Sequence, residues 1–158
     1  MIVFVTGATG ALGVPTVAQL RAEGHTVRAL ARSSDSAQAL RTAGVDPVPA
    51  SLFDRGALRA ALRDADAILH LATRIAPLAG ARRRAAWRDN DRIRADGTRN
   101  LVDAALATGV GVLVYPSFAP VYADGGAGWL EVGAPLAPTD ILESTLVAED
   151  EVARFTAA

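Results

Sequence analysis

Residues 2–13 read Ile2-Val3-Phe4-Val5-Thr6-Gly7-Ala8-Thr9-Gly10-Ala11-Leu12-Gly13. An apolar, β-branched run enters three glycines spaced three apart, and helical patterning follows. A strand, a glycine-rich turn and a helix start, in that order, build a site for a dinucleotide pyrophosphate. Gly7 permits the tight turn, Gly10 lets the backbone approach phosphate, and Gly13 lets the helix pack close on the strand. The helix start then offers unpaired backbone N–H groups and the positive end of its dipole to an anion.

Outward from this stretch, apolar runs alternate with amphipathic segments, which predicts an α/β fold with a parallel sheet. Strands are expected at Ile2–Thr6, Thr26–Ala31, Val45–Ala50, Ala67–Ala72 and Val112–Tyr115. Pro47 and Pro49 place the third at a sheet edge, where a missing donor is tolerated. Helices are expected from Ala11 to about Glu23, Asp35–Ala43, Phe53–Arg63, Trp87–Thr108 and Asp140–Phe155. Gly24, Gly44 and Gly109 supply stops, and Asp54 is the N-cap of the third helix. Thr73–Ala85 and Phe118–Thr139 read as long loops, and loops of such length in compact domains are usually functional or mobile. The expected sheet is doubly wound in the order 3-2-1-4-5, with a ligand crevice at the carboxyl ends of strands one and four.

Composition narrows the classes. The 158 residues suit a single domain, and a chain of that size buries roughly 70% of its unfolded surface. With 51% hydrophobic residues a substantial core forms without staples, and the absence of cysteine excludes disulfides and thiolate chemistry. A net charge of −1 gives no general attraction to nucleic acid or a membrane surface, and no apolar run has the length of a span. A cytoplasmic protein is the expectation. All 16 basic residues are arginine, so lysine chemistry is excluded within the chain.

The sequence resembles the extended and atypical short-chain dehydrogenase/reductases, which include sugar-nucleotide epimerases. The likeness rests on Thr6–Gly13, on Gly24-His25-Thr26-Val27-Arg28-Ala29-Leu30-Ala31-Arg32, and on Asp66-Ala67-Ile68-Leu69-His70-Leu71-Ala72. It continues through Asp96-Gly97-Thr98-Arg99-Asn100-Leu101-Val102-Asp103-Ala104-Ala105 and through strand five to Ser117, Val121 and Tyr122. The resemblance implies a single Rossmann-like domain over residues 1–158. It implies cofactor binding by Gly7, Ala8, Thr9, Gly10, Ala11, Leu12 and Gly13. Arg32 and Ser33 would lie beside the adenosine ribose, and Leu71, Ala72 and Thr73 would pass beneath the nicotinamide side. Strand two ends without the carboxylate that takes a ribose 2′-hydroxyl, and an arginine there pairs with a 2′-phosphate, so NADP is favoured over NAD.

The family's acid/base chemistry uses a tyrosine with a lysine four residues later, and a serine after strand five. Ser117 matches the serine, and Tyr122 matches a tyrosine just past it. The last helix, Ile141-Leu142-Glu143-Ser144-Thr145-Leu146-Val147-Ala148-Glu149, carries neither tyrosine nor lysine. The chain also stops before the family's usual C-terminal substrate lobe, leaving strand five as a sheet edge. Two functions follow: an oxidoreductase or epimerase acting on a carbonyl or hydroxyl compound, or a non-catalytic NADP-binding sensor or truncated member. The partners expected are the dinucleotide and a small-molecule substrate, with no nucleic acid or membrane. The apolar face of the last helix (Ile141, Leu142, Leu146, Val147, Val152, Phe155) is expected to pack on its own sheet, with self-association the alternative. His70 is expected in the core. Arg82, Arg83, Arg84, Arg88, Arg92 and Arg94, near Asp89, Asp91 and Asp96, read as i,i+4 pairing on a solvated helix, with a phosphorylated substrate as the alternative. Trp87 and Trp129 are expected to pack.

Overall fold

The computed structural model describes residues 1–157. Its centre is a five-stranded parallel sheet in the order β3-β2-β1-β4-β5. The strands are β1 (Ile2–Thr6), β2 (Thr26–Ala31), β3 (Asp46–Pro49), β4 (Ala67–His70) and β5 (Val112–Val114). Helices α1 (Gly13–Ala22), α2 (Ser34–Thr42), α3 (Arg55–Ala61), α4 (Arg88–Arg92), α5 (Thr98–Thr108) and α6 (Glu143–Thr156) connect and follow them.

Period-2 alternation along the strands divides the core. Val3, Val5, Val27, Ala29, Ala31 and Ala67 pack with Val17 of α1 and Leu40 of α2. Phe4, Leu30 and Ile68 turn the other way, against Leu58 of α3, Leu62, and Leu101, Ala104 and Ala105 of α5. Strands buried on both faces explain the nearly continuous apolar runs read in the sequence. Each large side chain so buried contributes roughly 1.5–3 kcal/mol. β3 is indeed an edge, with Pro47 opposite Ala29 and Pro49 opposite Ala31. At the other edge Ala67 pairs with Val112 and Leu69 with Val114, which leaves Val112 and Val114 uncovered on the α1 side.

Several boundaries differ from the sequence expectation. β4 stops at His70 rather than Ala72, although the Leu71 N–H still donates to the Thr6 carbonyl at 3.1 Å. α6 begins at Glu143 rather than Asp140. The helix expected over Trp87–Thr108 is a composite: a 3-10 turn at Arg84–Trp87, α4, a π-turn at Ile93–Gly97, then α5. α6 buries Ser144, Thr145, Ala148 and Glu151, while Val147 stays exposed. It docks on α5 and the π-turn through small and polar groups as much as through its apolar residues. Glu151 there accepts from Arg99 Nε at 2.7 Å and Arg154 Nη1 at 2.5 Å, and Arg154 also reaches Asp103 at 2.8 Å.

The i,i+4 pairing expected of the arginine run does not form among the described residues. Of its members Arg84 alone makes an ion pair, with Asp91 seven residues on, while Asp89 pairs with Arg74 at 3.0 Å and Asp96 with Arg99 at 3.7 Å. Arg92 lies over the Phe53 ring at 3.9 Å. Arg94 departs from the solvated-helix expectation and is buried. Trp87 packs and donates from Nε1 to the Ala81 carbonyl at 2.8 Å, whereas Trp129 is fully exposed.

Candidate dinucleotide site

The site begins in the turn after β1. Gly7 has φ +73°, and a Cβ there would sit 2.6 Å from the Leu71 carbonyl carbon and 2.7 Å from the Ala72 nitrogen. The turn is pressed onto the chain leaving β4, so no side chain fits between them. A Cβ on Gly13 would fall 2.2 Å from the Gly7 carbonyl oxygen, which holds the start of α1 close beneath the turn. Gly10 has no such crowding; its nearest neighbour would be the Gly7 oxygen at 3.2 Å. Thr9, Gly10, Ala11 and Leu12 are exposed, so the crest of the turn is open to a ligand.

A cleft with two arms passes over this crest. One arm, about 390 Å³, runs between Gly7, Thr9, Arg32, Ser33, Ser51, Phe53, Ala72 and Thr73. The other, about 360 Å³, runs from the Gly10–Gly13 turn past Leu71, Thr73 and Ile75 to Arg94, Pro116, Ser117 and Phe118. Arg32 and Thr73 line both arms, and neither arm is lined by a carboxylate. Arg32 is exposed and forms no ion pair among the described residues. Ser33 caps α2: its Oγ accepts from the Ser36 N–H at 3.2 Å, and Ser36 Oγ accepts from the Ser33 N–H at 3.0 Å. This reciprocal box fixes the chain immediately after Arg32.

The residues expected from sequence thus largely surround one cleft. Ala8 is buried and faces the groove between α1 and α2 instead. Ser117 lines the second arm, and its hydroxyl donates to Glu149 of α6. Tyr122 is not among the lining residues; its hydroxyl donates to the Val132 carbonyl at 3.3 Å and its backbone bridges to Leu136.

Two groups at this end were not expected in the cleft: Tyr115 was placed only at the end of strand five, and Arg94 in the solvated arginine run, with a phosphorylated substrate as its alternative role. Arg94, in the π-turn, is 5% exposed, donates from Nη1 to Thr145 Oγ1, and lies 5.9 Å from the centre of the Phe118 ring. The Tyr115 hydroxyl is buried without a hydrogen-bond partner among the described residues. Burial pushes the Tyr115 phenol up, the Arg94 guanidinium acts in the opposite direction, and Glu149 adds to the rise. Helical spacing held the signal for Arg94, which falls seven residues after Trp87 and seven before Leu101, both buried.

His70 is in the core, as expected, and holds the floor of the cleft. Its Nδ1 meets Thr6 Oγ1 at 2.6 Å, and its Nε2 meets Thr98 Oγ1 at 3.1 Å. Thr6 Oγ1 in turn accepts from the Ala72 N–H at 3.3 Å. Burial lowers the imidazole pKa to about 4, so the ring is neutral at physiological pH and ties β1, β4 and α5 together. Among the described residues there is no cluster of metal-ligating side chains and no helix long and apolar enough to cross a membrane.

A family described as NAD(P)H-binding matches residues 7–156. The chain belongs to this NAD(P)H-binding family. A 3-diazoavenalumate denitrifying reductase from a Streptomyces species is 37% identical over 163 residues, covering 100% of this chain and 52% of that protein. A farnesyl dihydroquinoline-oxide ketoreductase from Stigmatella aurantiaca is 34% identical over 125 residues, covering 79% of this chain and 36% of that protein. Among solved structures, a short-chain dehydrogenase/reductase superfamily protein from Agrobacterium tumefaciens with bound NAD superposes with a TM-score of 0.76 at 30% identity. That match covers 96% of this chain and 44% of the other. The UDP-N-acetylglucosamine 4-epimerase from Bacillus cereus gives 0.77 at 26% identity, over 99% and 53%. This NAD(P)H-binding chain has the short-chain dehydrogenase/reductase fold and spans about half the length, or less, of these relatives.

Proposed function

We propose that the chain binds NADP(H) across the two-armed cleft and serves an oxidoreductase or epimerase reaction at a carbonyl or hydroxyl carbon. The carrying observation is the junction of the arms: the open glycine crest, Arg32 beside it, and no lining carboxylate. The pyrophosphate is assigned to the exposed backbone of Thr9–Leu12 and the start of α1. The adenosine belongs in the arm lined by Arg32, Ser33 and Phe53. The nicotinamide belongs in the arm that ends at Ser117. A guanidinium at the ribose end favours a 2′-phosphate through a charge-assisted, bidentate contact. The reductase and ketoreductase relatives support the reaction class, and the NAD-bound structural neighbour supports a nicotinamide dinucleotide in the cleft.

Arg32→Ala is expected to weaken NADPH binding about tenfold or more while leaving NADH within about twofold, as calorimetry would read. Equal losses for both dinucleotides would remove Arg32 from the 2′-phosphate. At the chemical end, Ser117 orients the reacting oxygen, while Tyr122 lies outside the cleft with its hydroxyl on the Val132 carbonyl. Ser117→Ala should lower NADPH consumption with aldehyde and ketone substrates by about a hundredfold, and Tyr122→Phe should leave it close to wild type. Turnover untouched by Ser117→Ala contradicts that role.

A second reading, a non-catalytic NADP(H)-binding module, is favoured by one feature: α6 carries no tyrosine and the chain no lysine. Tight NADPH binding with no consumption across the carbonyl panel would select it.

A further inference from the structure

Arg94 is a permanent cation, since a guanidinium does not lose its proton in a protein. Burying an ion without a counter-ion is costly, and structures that retain one normally pair it. Here the pairing is missing. Among the described residues Arg94 forms no ion pair, and its Nε has no hydrogen-bond partner. Its neighbours are neutral: the Thr145 hydroxyl, the Tyr115 hydroxyl and the Phe118 ring. Glu149 is the nearby acid on α6, and it is engaged by Ser117.

Placement adds a second, independent point. Arg94 lines the cleft arm together with the glycine crest, Pro116, Ser117 and Phe118. The neighbouring Tyr115 hydroxyl is a further buried donor without an acceptor. The residue also sits in the π-turn Ile93–Gly97, a local widening that recurs at functional sites. An unpaired charge and an unpaired donor at the end of one cleft together suit an anion.

We infer that Arg94, with the Tyr115 hydroxyl beside it, receives an acidic group, a carboxylate or a phosphate, of the ligand held in the Ser117 arm. This deepens the dinucleotide reading by naming the charge at that end of the cleft, and it rests on that reading only for the location of the cleft. The acidic group belongs either to the dinucleotide's own pyrophosphate or to a separate acidic substrate. A guanidinium fork suits both, since each offers two coplanar acceptor oxygens.

The test compares wild type, Arg94→Met and Arg94→Lys by calorimetry with three probes: NADPH, inorganic pyrophosphate and malonate. Arg94→Met should weaken at least one probe tenfold or more, with Arg94→Lys intermediate, because charge survives but the fork does not. Joint loss of NADPH and pyrophosphate assigns the site to the dinucleotide's phosphates. Loss of malonate alone, in free or NADPH-saturated protein, assigns it to a separate acid. The ligand-free Arg94→Met variant should melt no lower than wild type, since it removes an uncompensated buried charge; a merely structural arginine would give a clear drop. If NADPH fails to bind wild type while malonate binding depends on Arg94, the dinucleotide reading falls and this one stands. The inference is overturned if all probes bind Arg94→Met as they bind wild type, or if wild type binds none of them.

Discussion

At the scale of single residues, the three glycines of the turn divide by what crowds them. Gly7 and Gly13 are held by backbone, at 2.6 Å and 2.2 Å from an added Cβ, whereas Gly10 would meet one oxygen at 3.2 Å. Gly7→Ala should therefore cost more than about 1 kcal/mol of stability, from both the positive φ and the collision, and denaturant unfolding reads it. Gly10→Ala should leave the unfolding midpoint close to wild type and weaken dinucleotide binding instead. A Gly10→Ala protein that binds NADPH normally would remove the crest of the turn from the ligand site. The glycine spacing, and its setting between a strand and a helix, were plain in the sequence. The different duties of the three were only partly so, because crowding of Gly7 by Leu71 and Ala72 comes from the chain leaving β4, sixty-odd residues away, and leaves no trace near the turn. Arg94 was masked for a related reason, although its seven-residue spacing from Trp87 and Leu101 carried a signal. Flanked by arginines and aspartates that do pair at the surface, it reads as one of them until the packing of α6 is known.

Element by element, the signals that worked were local. Asp54 caps α3 as the sequence indicates, its Oδ1 accepting from the Ala57 N–H at 2.9 Å. Asp54→Ala should cost about 1 kcal/mol. Leu58→Ala, one turn further into the core, should cost roughly 2–5 kcal/mol, and the two unfolding measurements rank a cap against a cavity. Where the reading slipped, a non-local partner decided. The long helix breaks into α4, a π-turn and α5. There Gly97 comes against Leu52, to which an added Cβ would approach at 3.3 Å, and no periodicity announces that meeting. The apolar residues of α6 do not account for its docking: Thr145 and Glu151 are buried because Arg94 of the π-turn and Arg99 of α5 satisfy them, while Ser144 Oγ is buried without a hydrogen-bond partner among the described residues. Burial works to raise the Glu151 carboxyl, but hydrogen bonds from Arg154 and Arg99 prevail and hold it below its usual value.

Over the whole molecule, acid should act through His70. Its folded pKa of about 4 lies below the ordinary 6.5, so between these values the unfolded chain binds a proton that the folded protein refuses. Stability is then full above about pH 6.5, falls as pH drops toward 4, and levels below it, a loss on the order of 3 kcal/mol. The Glu151 carboxyl, lowered from 4.5, adds a further loss at more acid pH. Urea titrations across pH 4–7 on wild type and His70→Gln check this: the substitution should flatten the slope in that window, and an equal slope in both would free His70 from the role. The strand order and the edge position of β3 were legible from the βα alternation, the glycine turn and the prolines, whereas strand five as an edge was legible only through the family resemblance.

The central claim is that a nicotinamide dinucleotide lies over the glycine crest between the two arms of the cleft. Following backbone amide resonances during NADPH titration tests it most directly. The account predicts saturable shifts at Gly7, Thr9, Gly10, Arg32, Ala72 and Thr73, with α3 and the outer face of α5 unmoved. A folded sample whose amides at these positions stay fixed at saturating NADPH, or shift only elsewhere, would contradict it.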